Sequence, residues 1–418
     1  MTDAGHPNDV WQRAPWLLNS QGNYNYPLIF NFASVSIHDM TVIGKSITTQ
    51  YYGTGPKFSY FNGCSTGGRQ AIQSAITNPE DYDGVLAGAP AVHLPDLSIS
   101  VYWPQSVMDR LGVYPPKCEL DFITAQAVEA CDTLDGVKDG IISHPDLCTF
   151  DPLSIVGRTI ENCNGTTIVV SKEAASIAKA IWDGPAAVDG KSLFVGVNRG
   201  TPLTGILALA NTKCEKGNTN CVGVPFPMAE DWIKYMVQRD PKYNLKTMTL
   251  QNMESFYLTS RQRLDGIIGA SNPDLSRFKS LNKKMISWHG MADECITSRN
   301  SRLYYEKVVQ GDAGAADYYR HFEAPGANHC SGAVGSYYPL KALDALRSWV
   351  EGGIVPDVLT GYSIPNGTEG LGSDSGSTRP ICAYPNVLKY NGGDTSKYSS
   401  FSCVAKTDAA AAPPKDEL

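Results

Sequence analysis

Apolar positions along the chain form two kinds of pattern, short continuous runs and helix-spaced repeats. Short apolar or aromatic runs predict buried strands. They lie at 57–62, 84–88, 284–290 and 318–323. Between the first two runs, Ala71, Ile72, Ala75 and Ile76 recur at the spacing of one helix face. No apolar stretch approaches the 18 or more residues of a membrane-spanning helix, so none is predicted.

The turn between the first strand and this helix reads Gly63-Cys64-Ser65-Thr66-Gly67. A serine with glycine two residues before and two after it, between a strand and a helix, is typical of a nucleophile elbow. At a helix N-terminus, an oxyanion is stabilised by the helix dipole and by the Thr66 backbone N–H. The pattern predicts Ser65 as a nucleophile, with an ordinary glycine-rich turn as the alternative.

A serine nucleophile needs a histidine as base and an acid that orients this histidine. Asp293 lies on the loop after the predicted strand 284–290, and His329 lies on a Pro/Gly-rich loop after the last predicted strand. The chain order Ser65, Asp293, His329 is that of α/β-hydrolases. The sequence therefore predicts this triad in an α/β-hydrolase fold.

Other residues compete for two of these roles. Glu294 is the main alternative to Asp293 as the acid of the triad. Asp293 could instead be a solvent-exposed acid of a turn without a catalytic role. His289 lies inside a predicted strand and is interpreted as a packed core residue. The remaining histidines precede the nucleophile or lack a strand-end position: His6, His38, His93, His144 and His321.

Composition and charge narrow the class of partner. The 418 residues are 42% hydrophobic and 18% charged, with a formal net charge of −7 and no basic run. Nucleic acids and anionic membranes require clustered Lys and Arg, so neither is expected as a partner. A small or uncharged ligand is expected, and the sequence does not indicate the oligomeric state.

The cysteines and the chain ends bear on the compartment. Eleven dispersed cysteines without a C-x-x-C pair argue against zinc ribbons and redox dithiols and favour an oxidising compartment. Glycosylation sequons at Asn164 and Asn366 are weak further support for an oxidising, secretory compartment. The first residues lack a signal-peptide pattern, whereas the last four, KDEL, match a retention signal of the endoplasmic reticulum. A secreted protein is therefore expected.

Two cysteines flank the predicted catalytic residues. Cys64 directly precedes Ser65 and Cys330 directly follows His329. If Ser65 and His329 are within hydrogen-bond reach, their neighbours can approach to disulfide distance, so a Cys64–Cys330 bridge is expected. A nucleophilic Cys64 is the alternative, but only the central position of an elbow is held up. Local spacing leaves Cys295 unpaired and suggests four further bridges: Cys118–Cys131, Cys148–Cys163, Cys214–Cys221 and Cys382–Cys403.

The pairs Cys64-Ser65 and His329-Cys330, together with Asp293, resemble the tannase and feruloyl esterase family, in particular its fungal feruloyl esterase B-like members. The resemblance continues through TDAGH at 2–6, GAPA at 88–91, RPICAYP at 379–385 and SFSC at 400–403. It implies a serine esterase that releases feruloyl or p-coumaroyl groups from plant cell-wall-type substrates. A tannase acting on galloyl esters is the alternative. A peptidase is less favoured, because a triad flanked by a Cys64–Cys330 disulfide resembles that of esterases.

A long segment, 93–280, separates the predicted strands 84–88 and 284–290. A segment of this length predicts a subdomain, interpreted as a lid that shapes the substrate pocket. The predicted domains are 1–92 and 281–405 as the two parts of the hydrolase domain, 93–280 as the lid and 406–418 as a flexible tail.

Within the predicted lid, CDTLDGVKDGII at 131–142 carries three aspartates and two glycines that permit tight turns. Carboxylate oxygens suit calcium, although the segment is not a full EF-hand and a solvated loop is the alternative. The family resemblance implies a structural calcium ion here. Its ligands would be the side chains of Asp132, Asp135 and Asp139 and the carbonyls of Val137 and Ile141.

The second oxyanion donor of an α/β-hydrolase comes from a loop upstream of the elbow. Members of the resembled family carry further sequence before the TDAGH stretch, so this chain is expected to begin within the fold. Because one oxyanion donor contributes about 10²- to 10³-fold in turnover, an inactive N-terminally truncated remnant is the alternative to an active esterase.

Overall fold

The computed structural model describes residues 15–332, 335–363 and 376–406. The TDAGH stretch, the Asn366 sequon and the KDEL end lie outside the described residues. The strands are β1 (Leu18–Ser20), β2 (Asn23–Tyr24), β3 (Tyr60–Cys64), β4 (Gly84–Gly88), β5 (Thr159–Cys163), β6 (Thr166–Val169), β7 (Thr212–Glu215), β8 (Thr219–Gly223), β9 (Lys284–Gly290), β10 (Tyr319–Ala324), β11 (Tyr337–Tyr338), β12 (Val358–Ser363), β13 (Thr378–Cys382), β14 (Val387–Tyr390) and β15 (Phe401–Val404).

The α-helices are α1 (Tyr26–Phe30), α2 (Ser36–Tyr52), α3 (Thr66–Thr77), α4 (Leu94–Ser100), α5 (Trp103–Leu111), α6 (Lys117–Cys131), α7 (Lys172–Asp183), α8 (Pro227–Asp231), α9 (Leu250–Ile268), α10 (Ser276–Ser280), α11 (Ser298–Gly311) and α12 (Ala342–Gly352). Short π-helical segments follow α1 at Asn31–Val35 and α8 at Trp232–Val237. Among the residues that the structure describes, no helix has the length and apolar character needed to cross a membrane.

A four-stranded parallel sheet in the order β10-β9-β4-β3 lies at the centre of the fold. Its strands overlap the four apolar runs, although β3 begins and ends later than the predicted 57–62. The presence of the four strands and the α/β class are therefore confirmed. β4 is buried along its whole length because it has a neighbour on each side and helices on both faces. Among the described strands, β3 pairs with β4 alone and forms the edge of the sheet.

Helices cover both faces of this sheet. One face packs on α12, in a cluster that contains Leu86, Ile286, Phe322, Leu346 and Trp349. The opposite face packs on α3 and α11, in a cluster that contains Ile72, Val85, Met285, Tyr304 and Tyr319. Successive residues of β4 and β9 thus point to opposite faces, as strand geometry requires, and the layers are helix, sheet and helix.

The segment between β4 and β9 folds into α4 to α10 and two hairpins, β5–β6 and β7–β8. The largest hydrophobic cluster of the described residues is built mostly from this segment, between Leu97 and Ile268. Leu17 and Ile29 from the start of the chain, and Ile296 from the loop after β9, pack into the same cluster. The segment therefore has a core of its own that continues to the first helices and to the loop after β9.

The C-terminal part adds an antiparallel sheet, β11-β12-β13, and the hairpin β14–β15. It joins the central sheet at β10, where Phe322 forms an isolated bridge with Ala383 and the Tyr384 N–H donates to the His321 carbonyl at 2.8 Å. These contacts brace β10, the strand that leads into the loop of His329.

Five disulfides connect the described residues. Three coincide with predicted pairs, namely Cys64–Cys330, Cys214–Cys221 and Cys382–Cys403. The predicted pairs Cys118–Cys131 and Cys148–Cys163 are wrong, because the structure joins Cys118 to Cys163 and Cys131 to Cys148. Cys118 and Cys131 lie near opposite ends of α6, and the helical rise separates them by about 20 Å. Cys295, which local spacing left without a partner, is a buried free thiol in the described residues.

Candidate active site

Ser65 lies at the junction of β3 and α3, where its backbone adopts φ 64° and ψ −122°. A positive φ strains a non-glycine residue and is found where a turn must hold a side chain in place. Gly63 permits this turn, because a Cβ at its position would lie 2.6 Å from the backbone of Gly67. The Ser65 N–H donates to the Gly88 carbonyl at 3.0 Å and so fixes the turn to β4. The local geometry is that of a nucleophile elbow.

Thr66, the predicted oxyanion donor, is the first residue of α3. The first N–H groups of a helix have no acceptor within the helix, and together with the helix dipole they favour an anion at that end. The backbone N–H of Thr66 therefore lies at the positive end of α3, one residue after Ser65.

Asp293 lies on the loop after β9 and is 1% exposed. Its Oδ1 accepts the backbone N–H groups of Cys295 and Ile296 at 2.9 and 2.7 Å. Its Oδ2 lies 2.8 Å from His329 Nδ1 and 3.0 Å from His289 Nε2. Burial raises the pKa of Asp293, but the hydrogen bonds from His289 and His329 outweigh burial and lower the pKa to about 2. The carboxylate is therefore ionised at neutral pH.

His329 lies on the loop after β10, between the acid and the serine. Its Nδ1 donates to Asp293 Oδ2 at 2.8 Å, and its Nε2 lies 2.9 Å from Ser65 Oγ. Burial lowers the pKa of His329, but the hydrogen bond and the negative charge of Asp293 raise the pKa above the ordinary histidine value. An imidazole held in this tautomer can accept the serine proton at Nε2. The structure thus brings the three predicted triad residues together.

Glu294, the alternative acid, has its described hydrogen bond to His329 at the backbone and not at the ring. Its Oε2 accepts the His329 backbone N–H at 3.2 Å. Burial raises the pKa of Glu294 above its usual value. The acid position next to the imidazole is therefore occupied by Asp293, and Glu294 holds the backbone of the base loop.

A disulfide joins the two loops that carry Ser65 and His329. It links Cys64 to Cys330 across 266 residues of sequence, with their Cα atoms 5.9 Å apart. Because Cys64 is bound in this disulfide, it has no thiolate with which to act as a nucleophile. The bond restrains the distance between the nucleophile loop and the base loop.

His289 is buried, as its place in a predicted strand suggested, but it also bonds to the acid. It lies in β9, four residues before Asp293, and its Nε2 faces Asp293 Oδ2 at 3.0 Å. Reasoning from the sequence missed this contact, because a histidine inside a strand is usually a packing residue. The available signal was its spacing to an acid just beyond the end of the same strand.

The aspartate-rich segment 131–142 folds into a compact turn. Asp132 accepts the N–H groups of Asp139 and Gly140 at 3.1 and 3.0 Å. Gly136 and Gly140 have φ of 90° and 81°, a conformation that favours glycine. The sequence-level expectation of tight turns at these two glycines is therefore confirmed.

The donor atoms of this turn fit a cation in part. Asp135 Oδ2 is buried without a hydrogen-bond partner, and a bound cation satisfies an atom of this kind. Asp139 Oδ2, in contrast, pairs with Arg379 at 2.5 Å. Within 15–332, 335–363 and 376–406, no three His, Cys, Asp or Glu side chains converge as a metal site, so a cation would also need carbonyl ligands.

Comparison with known proteins agrees with this geometry. The family model described as tannase and feruloyl esterase matches residues 1–404. A probable feruloyl esterase of Arthroderma benhamiae is 38% identical over 407 residues, which cover 96% of this chain and 74% of that protein. Feruloyl esterase B of Aspergillus niger is 30% identical over an alignment of 436 residues, gaps included. This alignment covers 96% of this chain and 75% of that protein.

Two solved structures are similar as well. A tannin acyl hydrolase from Aspergillus niger has a TM-score of 0.83 at 24% identity, with 93% of this chain and 72% of that chain covered. The crystal structure of feruloyl esterase B from Aspergillus oryzae has a TM-score of 0.76 at 28% identity, with 91% and 76% covered. Because the family model matches the chain over nearly its whole length and these relatives cover most of it, the chain belongs to the tannase and feruloyl esterase family.

Proposed function

We propose that this protein is a serine carboxylic ester hydrolase that acts on small esters of phenolic acids. The observation that carries the proposal is the line of contacts from Ser65 Oγ through His329 to Asp293, with distances of 2.9 and 2.8 Å. Acyl transfer to a serine needs a nucleophile, a base and an orienting acid in this order. Membership of the family supports the same class of reaction.

In the first half of the reaction, Ser65 Oγ attacks the ester carbonyl while His329 Nε2 takes the hydroxyl proton. The Thr66 N–H stabilises the oxyanion of the tetrahedral intermediate. The intermediate then expels the alcohol, which receives the proton from His329, and the acyl group stays on Ser65. A water molecule then attacks the acyl group while His329 Nε2 takes its proton. The bond to Ser65 Oγ breaks, the acid is released, and Ser65 Oγ receives the proton from His329. Asp293 remains ionised and orients His329 throughout.

The favoured substrates are feruloyl and p-coumaroyl esters of plant cell-wall-type material. The relatives at 38% and 30% identity that cover most of this chain are both named as feruloyl esterases. The tannin acyl hydrolase, at 24% identity, supports the fold alone. Hydrolysis of galloyl esters is therefore the second candidate, supported by the shared family description.

The experiment that tests the proposal is the hydrolysis of methyl ferulate and methyl gallate by the 418-residue chain and by Ser65→Ala. We expect turnover of methyl ferulate by the wild type and its loss in the folded variant. The ratio of kcat/KM for the two esters identifies the acyl group. A folded wild type without turnover of either ester would contradict the proposal and favour an inactive remnant.

We also propose that 93–280 forms a lid over the hydrolase parts 1–92 and 281–405, with 406–418 as a tail. The separate hydrophobic core of this segment supports the division. The contacts of this core with Ile296 support a role near the active site, because Ile296 N–H donates to the triad acid at 2.7 Å. Acyl specificity would then depend on side chains of the lid.

A structural calcium ion in the lid belongs to the same proposal. It would be held by the side chains of Asp132, Asp135 and Asp139 and the carbonyls of Val137 and Ile141. The buried, unpartnered Oδ2 of Asp135 supports it. When bound, calcium would supply charge neutralisation within this turn and no part of the acyl transfer.

Passage through the secretory pathway is proposed from the cysteine chemistry. Ten of the eleven cysteines form disulfides, which persist in oxidising compartments. The KDEL end, if read by its receptor, would return the protein to the endoplasmic reticulum.

A further inference from the structure

His289 has a hydrogen-bond partner at each ring nitrogen although it is completely buried (0% exposed). Its Nε2 lies 3.0 Å from Asp293 Oδ2 and 2.8 Å from the carbonyl oxygen of Ile296. Its Nδ1 lies 2.6 Å from the Ser301 hydroxyl on α11. The ring is therefore held by the acid loop on one side and by α11 on the other.

These partners determine where the ring carries its proton. A carbonyl oxygen can only accept, so the contact with Ile296 requires a proton on Nε2. This N–H is shared with Asp293 Oδ2 in a three-centre hydrogen bond. In the neutral ring, Nδ1 then accepts the hydroxyl of Ser301.

As a result, the Asp293 carboxylate is saturated with donors. Oδ2 receives one N–H from His329 and one from His289, while Oδ1 receives the backbone N–H groups of Cys295 and Ile296. Two donors at each oxygen prevent rotation of the carboxylate. The donor from His289 also competes with His329 for the negative charge on Oδ2.

We propose that His289 is a positioning residue of the triad, which fixes the Asp293 carboxylate and limits the negative charge that this carboxylate presents to His329. The inference rests on the proposed function, because it assigns a role within the same reaction. His289 acts through Asp293 and touches neither the serine nor the ester.

Other charged or titratable groups also lie around this pair. Glu294 bonds to the His329 backbone, and the Cys295 thiol has a pKa raised by burial. On β10 and α11, Glu323 and Arg302 pair with each other at 2.8 Å. His321, on β10, bonds to Ser287 on β9 at 2.8 Å, and its pKa is lowered by burial. None of these five side chains has a described hydrogen bond to the Asp293 carboxylate.

His321 provides a matched control, because it is a second fully buried histidine on the neighbouring strand. We compare His289→Met, which removes the donor, with His289→Gln, whose amide N–H can replace it, and with His321→Met. In His289→Met we expect kcat for methyl ferulate to fall about 10- to 100-fold with little change in KM, because the triad is misaligned. His289→Gln should recover most of kcat, and His321→Met should keep it within about threefold.

The pH profile separates positioning from general stability. Without the His289 donor, Asp293 presents more charge to His329, which stabilises the imidazolium and raises the pKa of His329. Since His329 must be neutral to act as base, the acidic limb of kcat/KM should move to higher pH in His289→Met and return in His289→Gln. A profile of His289→Met that matches His321→Met would overturn the proposal.

A readout without turnover keeps this test independent of the proposed function. The proton between His329 Nδ1 and Asp293 is expected as a far-downfield proton resonance whose pH midpoint reports the pKa of His329. The midpoint should rise in His289→Met and remain at the wild-type value in His321→Met. An unchanged midpoint in His289→Met would refute the role of His289 even if the wild type hydrolysed no ester. A folded wild type without turnover would instead contradict the proposed esterase.

Discussion

Asp293 and Glu294 are adjacent acids that play different parts in the site. Asp293 is enclosed and bonds to the imidazole of His329, whereas Glu294 bonds to the backbone of the same residue. Only an acid on Nδ1 can hold the tautomer that leaves Nε2 free to take the serine proton. The identity of the acid therefore follows from which atom of His329 each carboxylate reaches.

The two acids can be separated by isosteric substitution. Asp293→Asn should lower kcat about 10⁴-fold, because an amide favours the wrong tautomer of His329. Glu294→Gln, the matched control, should keep kcat within about tenfold, because an amide oxygen can still accept the His329 N–H. Steady-state hydrolysis of methyl ferulate measures both. Equal losses would contradict the assignment of Asp293 as the acid.

The contacts between Ser65, His329 and Asp293 were predictable from the sequence, whereas the contacts that support them were not. Ser65, Asp293 and His329 each follow a predicted strand, and the ends of parallel strands meet at one edge of the sheet. The hydrogen bond from His289 depends on the direction of a side chain inside a strand and on the path of the loop after it. The pattern of apolar residues predicts that His289 is buried in its strand, but it does not predict which residue His289 bonds to.

At the scale of elements, the turn between β3 and α3 depends on its two glycines unequally. The sequence pattern requires small residues on both sides of Ser65. A Cβ at Gly63 would meet the Gly67 backbone at 2.6 Å, whereas a Cβ at Gly67 would meet nothing within 4 Å. Steric need for glycine is therefore confined to the strand side of the serine.

Alanine substitutions at these two positions form a direct comparison. Gly63→Ala should lower the melting midpoint and reduce activity, because backbone atoms at 2.6 Å cannot move away without opening the turn. Gly67→Ala should keep the wild-type midpoint or raise it slightly, since alanine is the better helix former by about 1 kcal/mol. Thermal melting of both variants decides the matter. A larger loss in Gly67→Ala would show that the turn is built differently.

The disulfide pattern shows where local reasoning stops. Pairing by nearness in sequence holds for Cys214–Cys221, within the hairpin β7–β8, and for Cys382–Cys403. It fails at α6, because the helix carries Cys118 and Cys131 to opposite ends and each pairs with a different segment. Recognising α6 from the sequence would have excluded the wrong pair on distance alone.

Peptide mapping of the non-reduced protein tests the corrected pattern. We expect linked peptides that contain Cys118 with Cys163 and Cys131 with Cys148, and an alkylated Cys295 after unfolding without reductant. Cys64 linked to Cys330 is the internal control for the site. Peptides that join Cys118 to Cys131 would require α6 to be broken.

On the scale of the whole molecule, the strands of the central sheet were predictable because each is an apolar or aromatic run that carries its own signal. These runs are buried in β4 and along most of β9 and β10, and partly exposed in the edge strand β3. The antiparallel C-terminal sheet and the sharing of one core between 93–280 and the first helices were not. Both depend on contacts between segments that are distant in sequence, which periodicity does not encode. The extent of the proposed lid is therefore better defined by its hydrophobic core than by boundaries in the sequence.

The proposed calcium ion would couple the turn at 131–142 to the stability of the whole chain. A ligand that binds the folded state alone stabilises it, so removal of calcium with a chelator should lower the melting midpoint, by about 3 °C if calcium was present at about 100 times its Kd. Asp135→Ala should lower the metal content, measured by elemental analysis, and should abolish the chelator effect. Asp189 is an exposed acid that lies elsewhere in 93–280 and pairs with Lys191. Asp189→Ala should change neither the metal content nor the chelator effect. A wild-type protein that contains no calcium and melts alike with and without chelator would remove the ion, and would leave the pairing of Asp139 with Arg379 as the charge compensation of this turn.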